Sequence, residues 1–321
     1  MQSGRRRLLA LLGTMMVAAP ISSHAQPRRS RIGVLTPADV QWDQPAFLDE
    51  LRRLGYGDGN AEIIIKSAHG KLGALHALAD ALIDTGVDVI VAANTPGGRA
   101  AAAATRTIPI VVGVVSEPEL VGVKNLSRPE GNITGVTNMA GEIVAKRLEV
   151  LKETLPKAKR IAVLLHPDEP IVKKQIRDLA PAAAVLQVEL RYLPVRTETD
   201  LRAALAEAAT WRADALFRLA GQAATLDKLT ANLARERRIP AMLLTRAEVE
   251  AGAFLSYFPD HAAIWRRVAQ YVDRLLKGAK ISDLPFERPT KFELAINLNT
   301  ARALAITVPP NILLRADRVI E

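Results

Sequence analysis

Short runs of β-branched and aliphatic residues alternate with stretches of helical period along this chain, and the alternation is played through twice in the same order. In the first half Arg31–Leu35, Ala61–Ile65, Val87–Ala93, Ile108–Val115 and Ile133–Val136 read as strands, separated by helical patterns over Pro45–Leu54, Leu72–Ile83 and Arg99–Thr105. An amphipathic helix over Gly141–Leu155 leads to Pro156, and the pattern restarts. Strands at Arg160–Leu165, Val188–Leu193, Ala213–Leu219 and Ala241–Leu244 now alternate with helices at Ile171–Leu179, Glu198–Trp211 and Leu226–Arg238. Strands spaced by helices build βαβ units and therefore parallel sheets. A chain of 321 residues also exceeds what one compact core usually serves. The expected fold is α/β, with two doubly wound parallel-sheet lobes of like construction.

Beyond Gly252 the pattern changes. The apolar segment AFLSYFPD runs into a long helix, Ala262–Leu276, and after Pro285 and Pro289 comes another strand-like stretch, KFELAINL. Three hinge crossings are expected, near 116–138, 252–260 and 284–292, with 30–137 plus 285–321 as lobe 1 and 138–284 as lobe 2. Two lobes joined by several segments move as a hinge, and the cleft between them is the natural ligand site.

The first 25 residues carry Arg5, Arg6 and Arg7, an apolar stretch from Leu8 to Pro20, and small residues at Ser23 and Ala25. This reads as a signal peptide cleaved after Ala25, too short in its apolar part for the ~20 residues of a spanning helix. The arginine run leaves both the general secretory and the twin-arginine export routes open. Residues 1–25 hold three of the 43 Lys and Arg and none of the 34 Asp and Glu, so their removal lowers the net charge from +9 to +6. The remaining cations are scattered among acids, without the basic stripe that tracks a nucleic-acid backbone. There is no cysteine, which excludes disulfides, thiolate metal sites, a Cys nucleophile and a lipid-modified N-terminal Cys. An exported protein free in the periplasm is expected.

Ligands of open parallel sheets bind outside the carboxyl ends of the strands. The most distinctive such junction is VAANTPGGRAAAAATRT, Val91 to Thr107. Asn94 or Thr95 caps a helix, Pro96 suits its first turn, and Gly97 lets a ligand approach the backbone. The free N–H groups and the positive end of the helix dipole suit a carboxylate. No lysine follows the glycines as a phosphate loop requires. Other polar breaks at strand ends offer Trp42, Ser116, Glu117, Thr137, Pro167, Asp168, Glu169, Gly221 and Gln222, and Tyr257 lies in the expected hinge. Thr95 is the expected anion contact; Trp42 and Tyr257 offer flat apolar surface, and Glu117, Asp168, Glu169 and Gln222 polar selectivity.

Catalytic patterns are scarce. The five histidines show no metal spacing, no GxSxG or SxxK occurs, and GYGDG at Gly55–Gly59 follows a helix, where a C-cap and turn is the simpler reading. Asp168 and Glu169 beside His166 could do acid–base work or cap the helix beginning near Pro170. No catalytic residue, metal or cofactor is expected.

Four stretches carry a family resemblance: SDLPFERPTKFELAINLNTARALAITVPPNILLRADRVIE (Ser282–Glu321), LVGVKNLSRPEGNITGVT (Leu120–Thr137), EAGAFLSYFPD (Glu250–Asp260) and YVDRLLKGAK (Tyr271–Lys280). From about Arg31 to Glu321 the chain resembles the periplasmic substrate-binding proteins of ABC transporters, in the group whose characterised members bind tryptophan, tyrosine or phenylalanine. The resemblance implies the type I binding-protein fold and cleft positions at Asn94-Thr95-Pro96, Ser116-Glu117-Pro118, Pro167-Asp168-Glu169 and Gly221-Gln222. It departs from the family pattern at Gly221, where amino-acid binders tend to have an aspartate, and at Phe258, where SYG is usual. Loss of a carboxylate at the first position removes a charge-assisted partner for an ammonium, worth ~1.5–3 kcal/mol.

The expected function is that of a non-enzymatic, monomeric solute-binding protein. It traps a small carboxylate-bearing ligand with an apolar or aromatic body and delivers it to an ABC permease in the inner membrane. A periplasmic sensor module with the same body, and an exported α/β enzyme, are the alternatives.

Overall fold

The computed structural model describes residues 29–38, 44–57, 59–221 and 226–321. Lobe 1 begins with β1 (Ser30–Thr36), α1 (Gln44–Arg53), β2 (Ala61–Ser67), α2 (Leu75–Asp84), β3 (Val89–Ala92), α3 (Thr95–Ala104), β4 (Ile110–Val115) and β5 (Ile133–Thr137). Its five strands are all parallel, in the order β2-β1-β3-β4-β5. Lobe 2 repeats the plan with α4 (Val144–Thr154), β6 (Arg160–Leu165), α5 (Pro170–Val185), β7 (Glu189–Pro194), α6 (Glu198–Thr210), β8 (Ala215–Arg218), α7 (Asp227–Glu236), β9 (Ala241–Leu243), α8 (Arg246–Glu250) and β10 (Leu255–Pro259). These strands lie in the order β7-β6-β8-β9-β10, the same winding as lobe 1. After α9 (His261–Leu276) the chain ends in β11 (Phe292–Asn297), α10 (Leu298–Ala303), α11 (Pro310–Arg315) and β12 (Arg318–Ile320).

The segment from α9 to the end of the chain is divided between the lobes in the opposite sense to the sequence reading. β11 pairs antiparallel with β10, Leu255 opposite Ile296 and Tyr257 opposite Leu294, and β12 adds parallel to β11, so 292–320 extend the lobe 2 sheet to seven strands. The helix α9, expected in lobe 2, instead packs on α1 and on β3, β4 and β5 of lobe 1. The physical reason lies in the β4–β5 connection, which holds only a 3-10 turn over Pro118–Val121 and no covering α-helix. One face of the lobe 1 sheet is closed by α2 and α3. The other has α1 alone over its first strands, and α9 supplies the missing cover with Ile264, Trp265, Val268, Ala269 and Val272 at helical spacing. Trp265 is fully buried, edge-on to Phe47 with ring centroids 6.0 Å apart. It fits because β4 has glycine beneath it: a Cβ on Gly113 would stand 2.6 Å from the indole.

The chain therefore passes between the lobes at 138–143, at Asp260, and at 285–291. The first passage starts only after Thr137; residues 116–132 stay within lobe 1. The third runs beside β5, where Glu287 N–H donates to Gly135 O and Thr137 N–H to Glu287 O, both at 2.9 Å. Arg267 of α9 clamps the Glu287 carboxylate with two bonds of 2.7 and 2.6 Å. The helix α5 runs on through Pro181, where the sequence pattern suggested a stop at Leu179. Pro181 lies on the exposed face, so the lost backbone hydrogen bond is open to water, while Leu179 and Ala183 anchor the core side.

Replacing Trp265 with alanine should remove the main buried contact between α9 and its sheet. A loss of about 3–5 kcal/mol in chemical unfolding is expected. A loss below about 1 kcal/mol would show that α9 does not hold lobe 1 together.

Candidate ligand-binding site

The carboxyl ends of the two sheets face each other across a cavity of about 610 Å³. On lobe 1 the wall is built at the β3–α3 junction. Asn94 is extended and its side chain accepts from Gly97 N–H at 3.2 Å, fixing the helix start. Pro96 occupies the first turn, where no backbone donor is needed. The Thr95 hydroxyl accepts from Ser116 N–H at 3.3 Å and so ties this junction to the loop after β4. Asn94, Thr95, Pro96 and Ser116 all line the cavity, joined by Val114 and Asn138.

On lobe 2 the wall includes Glu169 after β6, Arg218 at the end of β8, Ala220 and Gly221, Asp227 at the start of α7, and Leu244 to Glu248. Arg218 is buried and held between two carboxylates, Asp227 and, at 2.5 Å, Glu248. The other carboxylate oxygen of Glu248, Oε2, accepts from Leu244 N–H, Thr245 N–H and the Thr245 hydroxyl at 3.0, 2.7 and 2.8 Å. Behind it lies a second buried guanidinium, Arg147, which donates to the carbonyls of Arg218 and Leu243 at 2.9 Å and stacks over Phe217. Burial, with the like charge of Arg218, pulls Arg147 down to about 9. Burial would also lower Arg218, but its two carboxylates prevail and hold it above its ordinary value. Burial pushes Asp227 up to about 6; Arg218 opposes the rise and Glu248 adds to it.

Beneath the cavity, Met139, Ala140 and Ile143 of the first crossing pack with Phe258 of β10 and Phe292 of β11, and with Ala220 and Leu244. The floor of the site is thus the joint between the lobes.

Several expected contacts lie elsewhere. Tyr257 points away from the cavity and stacks on Phe292 at 5.8 Å; strand alternation gives the floor to Ser256 and Phe258 instead. Asp168 is exposed and bound to Arg196 by bonds of 2.8 and 3.2 Å, so it does not join His166 and Glu169 around a common point. Pro167 is not on the wall. Thr137 is buried with its hydroxyl accepting from Met139 N–H, and its neighbour Asn138 takes the wall position. Gly97 is buried behind Asn94 and the wall passes it by. Trp42 and Gln222 lie outside the described residues.

Glu117 is turned from the cavity toward lobe 2, where its carboxylate stands 3.6 Å from Lys174 of α5, a charge pair spanning the two lobes. Burial raises the Glu117 carboxyl while Lys174 opposes the rise. Lys174 is shared with Asp178 at 3.0 Å.

Arg218, Asp227, Asn138 and Phe258 were missed by sequence reasoning. Arg218 had a visible signal: it interrupts the apolar run Ala215–Leu219, where a guanidinium must find buried partners. Among the described residues no cluster of three His, Asp or Glu could hold a metal, and no helix is long and apolar enough to cross a membrane.

Two lobes of one winding, joined by three passages around a cavity at their strand ends, have the type I periplasmic binding-protein fold. Residues 42–320 match the family described as ABC transporter substrate binding protein, and the chain belongs to that family, whose members bind rather than transform their substrates. It is 27% identical over 261 residues to a tyrosine-binding protein of Clostridioides difficile, covering 80% of this chain and 75% of that one. A conserved domain protein from Vibrio cholerae superposes with a TM-score of 0.83 at 27% identity, over 91% of this chain and 100% of that one. A Streptococcus pneumoniae ABC domain in complex with L-Trp shares the fold, with a TM-score of 0.80 at 24% identity over 90% and 100% of the two chains.

The Glu117–Lys174 pair is partly exposed and worth under about 1 kcal/mol. Lys174→Met should still move the balance of the free protein toward the open form, read as a larger radius of gyration in small-angle scattering. An unchanged radius would show that the pair does not hold the lobes.

Proposed function

We propose that this chain is the exported solute-binding component of an ABC importer. Residues 1–25 direct it to the periplasm and are removed after Ala25. There it works as a monomer, traps one small ligand between its lobes, and presents the closed form to a permease in the inner membrane. The observation that carries this reading is the cavity itself, walled by both lobes and floored by the joint. A ligand touching both walls has contacts in the closed form that the open form lacks, and only such a difference shifts the equilibrium.

The ligand carries a carboxylate and an apolar or aromatic body. The carboxylate is placed at the N-terminus of α3, where Asn94 and Thr95 organise the junction. Phe258, Leu244, Val114 and Pro259 supply apolar surface for the body. The relatives that bind tyrosine and L-Trp support a ligand of this kind.

Native mass spectrometry of protein taken from its own periplasm should show one bound small molecule. For that molecule Thr95→Val should weaken calorimetric affinity about tenfold, because the Ser116 N–H loses its acceptor. Unchanged affinity would remove this junction from the site.

A further inference from the structure

At the end of the lobe 1 sheet away from the cleft lies a second cavity, of about 750 Å³. Strand β4 runs from one to the other: Pro109, just before the strand, is on this cavity, and Ser116, just after it, is on the cleft. At ~3.3 Å per residue the two stand about 20 Å apart. No residue lines both.

Three segments build the wall: the α3–β4 turn, the loop 125–132 ahead of β5, and the end of α9 with the 3-10 turn Ile281–Asp283. Hydrogen bonds fix them to one another. The Asn132 amide donates to Thr105 O and Ile108 O at 3.2 and 2.8 Å, which ties the loop to the turn. Leu126 O accepts from Phe286 N–H at 2.7 Å, which ties the loop to the chain after α9. Within the loop, Asn125 Oδ1 accepts from the N–H groups of Ser127 and Arg128, both at 3.1 Å, and Gly131 takes the left-handed conformation, φ +79°. The shape of the cavity is therefore set by the fold of lobe 1.

What this framework presents is positive charge. Arg106, Arg128 and Lys280, one from each segment, are exposed on the wall, and Glu130 is the one acid there. Among the described residues none of the three cations makes an ion pair or a side-chain hydrogen bond. Their neighbours at the end of α9 are committed: Lys277 to Asp273 at 2.6 Å, and Arg274 to the Asp283 carbonyl at 3.3 Å. Helix surfaces elsewhere pair Arg52 with Asp49, Lys146 with Glu149 and Arg202 with Glu198. Like charges brought from three segments to one concave surface repel, and neither packing nor hydrogen bonding in lobe 1 uses their head groups. The same convergence focuses the field and concentrates anions in the cavity.

We infer that this cavity is a second binding site, for a phosphoryl group, independent of the solute cleft. Three cations against one carboxylate leave a net charge of +2 on the wall, which one phosphate monoester dianion neutralises and a single carboxylate does not. Guanidinium forks match phosphate oxygens two at a time, and the Lys280 ammonium adds a point charge. The cavity is larger than a phosphate ion, so it has room for the polar body that carries the group. A free phosphate ester and a phospholipid headgroup both present this chemistry. An occupant at this end of the sheet leaves the lobes free to close.

The test is calorimetry on the mature protein with inorganic phosphate, pyrophosphate and glycerol phosphate, together with co-sedimentation on vesicles of phosphatidylglycerol and, as reference, of phosphatidylcholine alone. The expected result is saturable binding of at least one phosphoryl probe, weakened by salt. Arg106→Gln with Arg128→Gln should weaken it about tenfold at an unchanged unfolding midpoint, and Lys280→Gln about threefold. Arg302→Gln, which removes an exposed cation from α10 of lobe 2, should leave it unchanged. Binding of a soluble probe assigns the site to a free phosphate ester; binding to phosphatidylglycerol vesicles alone, lost in the double variant, assigns it to a lipid headgroup. No saturable binding of any probe overturns the inference. So does binding that survives the double variant, which places the anion elsewhere, or an equal loss with Arg302→Gln, which reports net charge only. The reading of the cleft stands or falls separately, on the co-purified small molecule.

Discussion

The lobe 1 sheet cannot cover itself, and much of the architecture follows from that. Between β4 and β5 the chain spends its residues on a 3-10 turn and a loop, which leaves apolar surface on β4 and β5 without a helix. The helix that covers it, α9, is encoded after the last parallel strand of lobe 2. The chain must cross to lobe 2, return with α9, and cross again to finish as β11 and β12. Three passages side by side permit bending and resist independent tumbling, so the geometry available to the molecule is hinge closure. Trp265, seated over Gly113, is the contact that makes the return favourable.

Identical winding of the lobes then sets the chemistry of the cleft. In each sheet the order reverses beside the first strand, and the loops at that point open toward the other lobe. Lobe 1 contributes a helix N-terminus, uncharged polar groups and His261 at the start of α9; lobe 2 contributes carboxylates held by a buried guanidinium. Burying Arg147 and Arg218 side by side is costly, and the contacts each makes offset part of that cost. Arg218 has two carboxylates, and Arg147 has two carbonyls and the face of Phe217. The cluster thereby fixes the ends of β8 and β9 and the start of α7 in one arrangement, which is what a site needs if its contacts are to be ready before the ligand arrives.

The alternation of strands and helices, the doubling of the fold and the β3–α3 junction were legible in the sequence because each rests on local pattern: β-branched runs, capping residues and glycine stops. Asn94, Thr95, Pro96, Ser116, Glu169 and Gly221, singled out by such local signals, lie on the cavity wall. The sorting of the C-terminal segments was not legible, because a strand such as KFELAINL carries no mark of which sheet it will join; that is decided by pairing with β10 and by where uncovered surface remains. The phase of β10 was misjudged for a similar reason. In a five-residue strand, Tyr257 and Phe258 are equally good floor residues until the partner strand sets which faces inward. Asp168 and Glu117 look like ligand groups by position, yet Arg196 and Lys174, far off in sequence, claim them. Asp227 escaped notice because nothing local distinguishes an aspartate that starts a helix from one that holds a buried arginine.

The central claim is that one small molecule is held between the lobes, touching the β3–α3 junction on one side and the Asp227 wall on the other. A crystal structure of the protein purified with its natural ligand tests this most directly. The account predicts electron density within contact of Thr95 and of Asp227 at once, above Phe258. Density bound to one lobe alone, or outside the cavity, or a cavity closed by the protein's own side chains, would contradict it.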